Sequence, residues 1–225
     1  MSGPEKTRPV DNFHCFRGLG LPYWRDMARG LKPVFASGRD GHYIDYQTDK
    51  MDLITKQNGG LSNPQLRAIT GRTIARFMGS KAPPAKALLR PWWIDLDSLL
   101  VIRDWALAKS VSLSEAAQRL LVVPESWSDC GALILARPKG QLMAWVGKGK
   151  PVGVIHGAAK DKPSDFSPDG RKPDGRRPEQ GQVFDRPPDS NIEQYFIPGE
   201  PLSAWLDPIS YHRILSDGKL DPPLG

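Results

Sequence analysis

Two helices in the middle of the chain are the clearest elements predicted by the pattern of hydrophobic and polar positions. Between residues 99 and 108, leucine, isoleucine, tryptophan and alanine recur at helical spacing and would form a broad apolar face. Asp95 or Asp97 can cap the start of this helix, because a carboxylate accepts the free amide hydrogens of a first turn. A second helix is predicted to begin at Ser112, since Ser112 and Glu115 have the spacing of a capping box.

Shorter elements are predicted in the first third of the chain. The apolar stretch Phe13–Arg17 favours a short strand, and residues 22–29 favour a two-turn helix that starts at a proline and ends before a glycine. Residues 34–63 are rich in glycine and polar residues. They are predicted to be mostly loop, within which Tyr43–Tyr46 can be extended. Apolar residues spaced for one helical face predict a helix over residues 64–78.

The chain after residue 130 is predicted to be β-structure. Ala132–Ala136 and Leu142–Val146 are apolar runs of strand length, and turn residues separate them, so we expect a β-hairpin. Together with the helices, these strands predict an α+β fold. Its β-core would be small, split and mostly antiparallel, flanked by helices from the first two-thirds of the chain.

Composition divides the chain into a leader, one domain and an insertion. Residues 1–12 are polar and are expected to form a flexible leader, and residues 13–225 are expected to form a single domain. Within that domain, residues 158–188 are mostly charged residues, proline, glycine, serine and glutamine. Such a segment has too little apolar surface to offset its ordering entropy, so it is predicted to be a flexible insertion.

Charge, histidine and cysteine content narrow the class of protein. The formal net charge of +6 allows an acidic partner without selecting one, and the sequence has no zinc-finger spacing or RNA-binding aromatic motif. Its 2 cysteines are too few for a disulfide framework. The 4 histidines lack metal-binding spacing, and no apolar run approaches the ~18 residues of a membrane span. We therefore expect neither a metal nor a membrane as a partner.

The opening and closing segments together resemble a known family. Phe13–Gly18, a helical run from Pro22 and the turn Gly30–Pro33 stand near the start, and Asn191–Gly199 stands near the end. The first group resembles the entry to the ADP-ribosyltransferase toxin fold, in its cholera-toxin-like subgroup, and the last resembles the catalytic exit of that fold. The resemblance implies an ADP-ribosyltransferase-like domain that binds NAD, as a substrate, between the ends of the chain.

The resemblance implies cofactor-binding roles for residues near the start. The family's first-strand arginine contacts the NAD phosphates, and Arg17 stands at the matching place. A guanidinium offers pyrophosphate a rigid bidentate donor; an ordinary surface salt bridge is the alternative for Arg17. Another subgroup of the family uses histidine and tyrosine instead, so His14 is also a candidate. Tyr23, Trp24 and Tyr195 are candidates to stack on the cofactor.

The late strand holds the two catalytic candidates, Glu193 and Gln194. Matching Ile197–Pro198 to the Ile-Pro of the family puts Gln194 at the position of the catalytic glutamate, with Glu193 on the opposite side of a regular strand. The family's carboxylate stabilises an oxocarbenium-like transition state. Either a bulge brings Glu193 into the site, or Gln194 hydrogen-bonds the ribose without charge. A retained fold with lost or changed activity is a third possibility, and a polar pair without function is a fourth.

A second, broader similarity covers residues 90–200. This region is similar to a family of uncharacterised proteobacterial proteins associated with secreted effectors. The similar segments are Pro91–Ile94, Ser112–Ala117, Glu125–Ser128, Leu142–Gly149 and Gln194–Gly199. Both resemblances imply a bacterial toxin or effector made in the bacterial cytoplasm. Because residues 1–12 lack the apolar core of a signal peptide, we expect delivery into a target cell without a cleaved leader.

Two functions remain open from the sequence. The first is transfer of ADP-ribose from NAD to a macromolecular acceptor, protein or nucleic acid, with an immunity protein as a further partner. The second is a non-catalytic effector or interaction module that binds a protein or nucleic acid through a basic surface. The basic residues of the insertion at 158–188 would contact an acidic target or the immunity protein, or the insertion is a solvated linker.

Overall fold

A computed structural model describes residues 11–46, 59–125, 127–153, 183–184, 187, 190–199 and 201–223 of the chain. Within these residues, four α-helices form: α1 (Gly20–Ala28), α2 (Pro84–Ala87), α3 (Leu96–Lys109) and α4 (Leu113–Leu121), and 3₁₀ helices lie at Phe13–Phe16 and Leu202–Ala204. The strands are β1 (Pro33–Gly38), β2 (Gly41–Tyr46), β3 (Leu61–Thr70), β4 (Ile74–Met78), β5 (Trp92–Asp95), β6 (Ala132–Pro138), β7 (Gln141–Gly149), β8 (Val152–Gly153), β9 (Val183–Phe184), β10 (Glu193–Phe196), β11 (Leu206–Ile214) and β12 (Leu220–Asp221).

One sheet of eight strands organises the described chain, in the order β12-β11-β6-β4-β5-β10-β7-β3. Its neighbouring strands pair antiparallel. Strands β1 and β2 form a separate antiparallel pair, as do β8 and β9. The predicted α+β class with a mostly antiparallel sheet is therefore confirmed.

The helices in the middle of the chain begin where the sequence predicts. Asp95 caps α3, because its Oδ1 accepts a hydrogen bond from the Ser98 amide at 2.7 Å. Ser112 caps α4, because its Oγ accepts from the Glu115 amide at 3.1 Å. These caps use contacts within one turn, so the local sequence suffices to predict them.

The predicted helix over residues 64–78 is wrong, because this segment forms β3 and β4. Gly71 separates the two strands in a left-handed conformation with φ +62°, which glycine adopts without strain. Strand β3 pairs with β7, and β4 pairs with β5 and β6. Pro64 lies where the β3 register shifts, a position that tolerates its missing amide hydrogen.

The predicted hairpin between β6 and β7 is also wrong. Only Lys139 and Gly140 separate the two strands along the chain, yet β4, β5 and β10 lie between them in the sheet. Strand β6 pairs instead with β4 and β11, and the Lys139 amide donates to the carbonyl of Trp205 at 2.9 Å. The two strands therefore part at their turn and enclose three others.

The start of the fold differs from the sequence prediction. The predicted strand at Phe13–Arg17 is wrong: Phe13–Phe16 is a 3₁₀ helix, in which the Cys15 amide donates to the carbonyl of Asn12 at 3.1 Å. The predicted leader overlaps the fold at its end, since Asn12 is completely buried. Residues 1–10 of the leader lie outside the described residues, as do residues 158–182, 185–186 and 188 of the predicted insertion.

The segment predicted to be mostly loop, residues 34–63, contains β1 and β2. The extended conformation of Tyr43–Tyr46 is confirmed, and these residues pair with Pro33–Ala36. The predicted helix at residues 22–29 is confirmed as α1, which begins two residues earlier, at Gly20. The helix ends at Ala28, one residue before the predicted end, and Gly30 follows shortly after.

Packing divides the eight-stranded sheet into two faces. On one face, α3 and α4 pack against alternate residues of β4, β5 and β6, such as Ala75, Ile94 and Leu133. Helix α1 packs on the same side against Phe196 and Trp145. The opposite face carries Ile74, Trp93 and Tyr195 within a separate apolar cluster. The sequence-predicted catalytic pair therefore lies in a central strand, β10, with packing on both sides.

Candidate functional site

Strand β10 sends its two catalytic candidates to opposite faces of the sheet. Gln194 and Phe196 lie on the face covered by α1, α3 and α4, which we call the Gln194 face. Glu193 and Tyr195 lie on the other, which we call the Glu193 face. The strand is regular here, since Glu193, Gln194, Tyr195 and Phe196 pair in unbroken register with β7. The alternation expected of a regular strand is thus present, and no bulge brings Glu193 to the position of Gln194.

Gln194 has the environment of a structural residue. Its side chain is buried, with the residue 8% exposed, and Nε2 donates to the carbonyl oxygen of Leu121 at 2.9 Å. A Cβ atom at Gly149 would lie 2.7 Å from that Nε2, so the amide fills a niche that only glycine leaves open. Gln194 thereby links β10 to the last residue of α4.

Glu193 forms a bidentate ion pair with Arg67. Arg67 Nη1 and Nη2 donate to the two carboxylate oxygens at 2.5 and 3.0 Å. Arg67 lies on β3, with β7 between it and β10, so the pair spans three strands. The side chains keep 52% and 37% of their surface accessible. The carboxylate of Glu193 is therefore both held in orientation and reachable from solvent.

Tyr195 and Asp95 form a second polar pair beside Glu193. The Tyr195 hydroxyl donates to Asp95 Oδ2 at 2.9 Å, while Oδ1 of the same carboxylate caps α3. Burial by itself would raise the pKa of Asp95, but hydrogen bonds from Ser98 and Tyr195 and the positive charge of Arg72 outweigh it and hold the pKa below its usual value. Burial and the negative charge of Asp95 raise the pKa of Tyr195, so its hydroxyl stays protonated.

These residues form one charged group on the Glu193 face, which we call the Glu193 cluster. Its members are Arg67, Arg72, Asp95, Glu193 and Tyr195. Two carboxylates, two guanidiniums and a tyrosine hydroxyl are brought together from β3, β5, β10 and the turn after β3. Such a group can orient a polar ligand by charge and by hydrogen bonds.

Arg17 lies at a different place, on the extended residue that follows the first 3₁₀ helix. Its guanidinium carbon lies 4.2 Å from the centroid of the Phe13 ring, a cation–π arrangement. Both side chains belong to exposed residues. His14 is also exposed; its Nε2 lies 3.3 Å from Cys15 Sγ, and its ring centroid lies 6.0 Å from that of Trp205.

Tyr23 contributes to an aromatic group on α1. Its ring stacks on Phe35 of β1, with centroids 4.2 Å apart and an interplanar angle of 13°. It also meets the edge of Trp24 at 5.1 Å. The Tyr23 ring therefore already has an aromatic partner within the protein.

The structure brings the opening and closing motifs together, but not their charged residues. Asn12 Nδ2 donates to the carbonyl of Pro198 at 3.1 Å, just beyond the end of β10. On the Gln194 face, Trp24 of α1 lies with its ring 6.2 Å from Phe196. Among the described contacts, none joins Arg17 to Glu193 or Gln194. The N-terminal segment thus adjoins the C-terminal end of β10, whereas the two catalytic candidates lie at its beginning.

Arg67 and Asp95 are members of the cluster that sequence reasoning did not assign to the site. In the sequence, Arg67 belongs to none of the motifs, and Asp95 is only a candidate helix cap. The cap is confirmed, but the second oxygen of the Asp95 carboxylate serves Tyr195, 100 residues away in the chain. No local motif predicts a contact at that separation.

Comparison with known proteins found no matching protein-family model, no matching curated protein and no matching solved structure. Among the described residues, no helix is long and apolar enough to cross a membrane. In the same part of the chain, no group of three or more histidine, cysteine, aspartate or glutamate residues is arranged to hold a metal ion.

Proposed function

We propose that the chain is a bacterial effector that transfers ADP-ribose from NAD to a macromolecular acceptor, with Glu193 rather than Gln194 as its catalytic carboxylate. The observation that carries the choice is the contrast on β10. Glu193 is reachable and held by Arg67, whereas the amide of Gln194 is buried against Leu121. A residue must contact substrate to act on it, so Glu193 is the member of the pair that qualifies.

The chemistry requires one carboxylate beside the nicotinamide ribose. The bond between the ribose carbon and the nicotinamide nitrogen breaks, nicotinamide leaves with the bonding electrons, and a nucleophile of the acceptor bonds to the same carbon and loses its proton. Positive charge develops on the ribose in between. A fixed negative charge at Glu193 would stabilise it more in the transition state than in the ground state.

The neighbours of Glu193 support this role. The bidentate contact of Arg67 fixes the direction of the carboxylate, which reduces the reorganisation needed during reaction. Arg72 adds a positive charge next to Asp95 and Tyr195, suited to the NAD pyrophosphate. The contacts of NAD with Arg17, His14, Tyr23 and Tyr195 stay predictions from the resemblance.

The test is Glu193→Gln in the full chain, assayed with labelled NAD and a cell lysate for label transfer and nicotinamide release. We expect a loss of about 100-fold or more, as when one electrostatic stabiliser is removed from a site, with an unchanged circular dichroism spectrum. Glu115→Gln is the matched control, because Glu115 is paired with Arg119 on the surface of α4. Full activity in Glu193→Gln, or no reaction by the unaltered chain, contradicts the proposal.

A non-catalytic interaction module is the second candidate. It is favoured by the position of Arg17, whose guanidinium lies over Phe13 and forms no described contact with Glu193 or Gln194. This candidate predicts binding of a macromolecule without nicotinamide release. If the partner is a nucleic acid, affinity should fall steeply as salt rises, because bound cations on the nucleic acid are displaced by basic side chains. A flat salt response excludes that version.

A further inference from the structure

A cleft of about 410 Å³ lies beside the C-terminal end of α3, and it is lined by Trp105, Lys109, Val111, Arg119 and Pro187. Trp105 and Lys109 are four residues apart on α3, so they lie on one side of that helix. Val111 belongs to the connection between α3 and α4, and Arg119 belongs to α4. The cleft therefore has walls from both helices, and it shares no residue with the Glu193 cluster.

Hydrogen bonds hold the backbone around the cleft. The Val111 amide donates to the carbonyl of Ala106 at 3.1 Å, which fixes the connection against the last turn of α3. The carbonyl of Pro187 accepts from the Ser190 amide at 3.0 Å, and Ser190 is itself buried. A ligand would therefore enter a cleft that is already formed, which lowers the entropy lost on binding.

Three of the lining residues give the cleft an apolar surface. Trp105, Val111 and Pro187 are each half-buried, so part of each stays within reach of a ligand. The Nε1 atom of Trp105 is shielded from solvent, and what the indole presents to the cleft is therefore hydrocarbon. Aromatic rings pack favourably against an indole, either stacked or edge to face. The apolar part of the cleft thus suits a flat aromatic group.

The other two lining residues give the cleft a positive charge. Lys109 is exposed, and it forms no ion pair with any carboxylate of the described chain. Arg119 Nη2 lies 2.6 Å from Glu115 Oε1, so one of the two positive charges is offset. Two cations and one carboxylate leave a single net positive charge, which matches a ligand with one negative charge.

We propose that this cleft binds a small aromatic carboxylate. The ring would pack on the indole of Trp105, and the carboxylate would accept a charge-assisted hydrogen bond from Lys109 Nζ. Small-molecule sites have volumes of about 300–1,000 Å³, and a volume of about 410 Å³ suits one or two fused rings. The site is separate from the proposed transferase site, so either proposal can fail without the other.

The test measures binding of 2-naphthoate to the full chain by isothermal titration calorimetry at low ionic strength. 2-Naphthalenemethanol has the same rings without the charge, and acetate has the charge without the rings. We expect 2-naphthoate to bind saturably with a Kd of about 1 mM or lower, and the alcohol to bind about two- to fivefold more weakly. No binding of 2-naphthoate overturns the proposal, as does equal affinity for 2-naphthoate and either the alcohol or acetate.

Substitutions at Lys109 test whether the ligand lies in the cleft. Lys109→Glu should weaken 2-naphthoate binding about five- to tenfold and leave the alcohol unchanged, because only the anion is repelled. Lys109→Arg keeps the charge and should retain 2-naphthoate binding. Lys86→Glu is the matched control, since Lys86 is also an exposed basic residue in the last turn of a helix. An equal loss in Lys86→Glu, or no loss in Lys109→Glu, refutes the site.

Trp105→Leu tests the ring contact separately. It should weaken both 2-naphthoate and the alcohol about two- to tenfold, because an aromatic partner is lost for either ligand. Trp127→Leu is the matched control, since Trp127 is exposed and does not line the cleft. Circular dichroism verifies that each variant folds. Unchanged affinity for both ligands in a folded Trp105→Leu protein contradicts the proposal, and if this variant does not fold, the surface substitutions at Lys109 still decide it.

Discussion

Glu193 and Gln194 are neighbours in the chain, but they occupy opposite environments in the fold. The amide of Gln194 is buried between the end of α4 and Gly149, with its donor bonded to a backbone carbonyl. The carboxylate of Glu193 is partly accessible on the other face, where it accepts hydrogen bonds from the side chain of Arg67. A residue's place in an aligned motif therefore does not by itself determine its chemical role. Gln194, at the position expected for the catalytic residue, forms a buried structural hydrogen bond. Its neighbour Glu193 is accessible to a ligand.

The two environments also predict how strongly a substitution at each position changes the free energy of unfolding. On the Gln194 face, a change in charge meets a low-dielectric interior and a fixed backbone carbonyl. At Glu193, a change in charge meets solvent and the partly exposed side chain of Arg67. The two positions should therefore differ by several-fold in their effect on the free energy of unfolding, although they are adjacent.

The largest effect is expected for Gln194→Glu. This change removes the donor to Leu121 and places a carboxylate against that carbonyl, which should lower the free energy of unfolding by about 3 kcal/mol at pH 7. The loss should shrink at acid pH, where the protonated carboxyl can donate again. Urea unfolding at several pH values measures it. Gln65→Glu, at an exposed position of β3, is the matched control and is expected to change stability by less than about 0.5 kcal/mol.

The activity of the same variant tests which of the two residues is catalytic. If Gln194 stood at the catalytic position, restoring a glutamate there would raise ADP-ribosyl transfer. We expect no such gain, because the side chain has no path to a ligand on the other face. Increased transfer by a folded Gln194→Glu protein would reverse the roles assigned to the two residues.

The elements that the sequence predicts correctly depend on contacts within a turn. Asp95 and Ser112 cap their helices through residues three positions ahead, and α1 begins near a proline. Residues 64–78 show the opposite case. Leu66 and Ile69 have helical spacing, but their backbone finds partners in β7, about 75 residues later in the chain. Local periodicity carries no information on such a partner, so the spacing predicts a helix where two strands form.

The candidate site, too, can be predicted from local sequence only in part. Opposite orientations of Glu193 and Gln194 follow from the two-residue period of a strand, and the sequence alone predicts them. Which of the two faces is accessible depends on where α4 packs, and the sequence does not encode that locally. The partnership of Arg67 with Glu193 spans 126 positions, and only the order of strands in the sheet makes it visible.

An intermediate effect is expected for Asp95→Asn. Asparagine keeps the helix cap but removes the carboxyl group whose pKa is held below its usual value. In the unaltered chain, the ionised Asp95 carboxylate stabilises the fold at pH values above the pKa of the unfolded state, which is near 4. This contribution is lost as the pH falls through the lower pKa of the folded state. The variant should lose about 1 kcal/mol at pH 7 and show a shallower decline toward pH 3.

Urea unfolding at pH 7, 5 and 3 measures this difference. Asp97→Asn removes an exposed acid from the same helical turn and controls for the change in net charge. An identical pH profile in Asp95→Asn and the unaltered chain would mean that the bonds from Ser98 and Tyr195 do not favour the ionised form of Asp95.

The smallest change in stability is expected for Arg67→Ala. The ion pair with Glu193 is bidentate but largely accessible, and accessible pairs contribute between about 0 and 1 kcal/mol. The free energy of unfolding should therefore fall by less than about 1 kcal/mol at low salt, and the difference should shrink at high salt because the charges are screened. Arg103→Ala, which breaks the accessible pair with Asp104, is the control for removal of a surface arginine.

Transfer of ADP-ribose should respond differently, since Glu193 without Arg67 loses its fixed direction: we expect about a tenfold fall in Arg67→Ala and none in Arg103→Ala. A loss of several kcal/mol would show that packing constrains the Glu193 face as strongly as the Gln194 face, and the distinction between the two would fail.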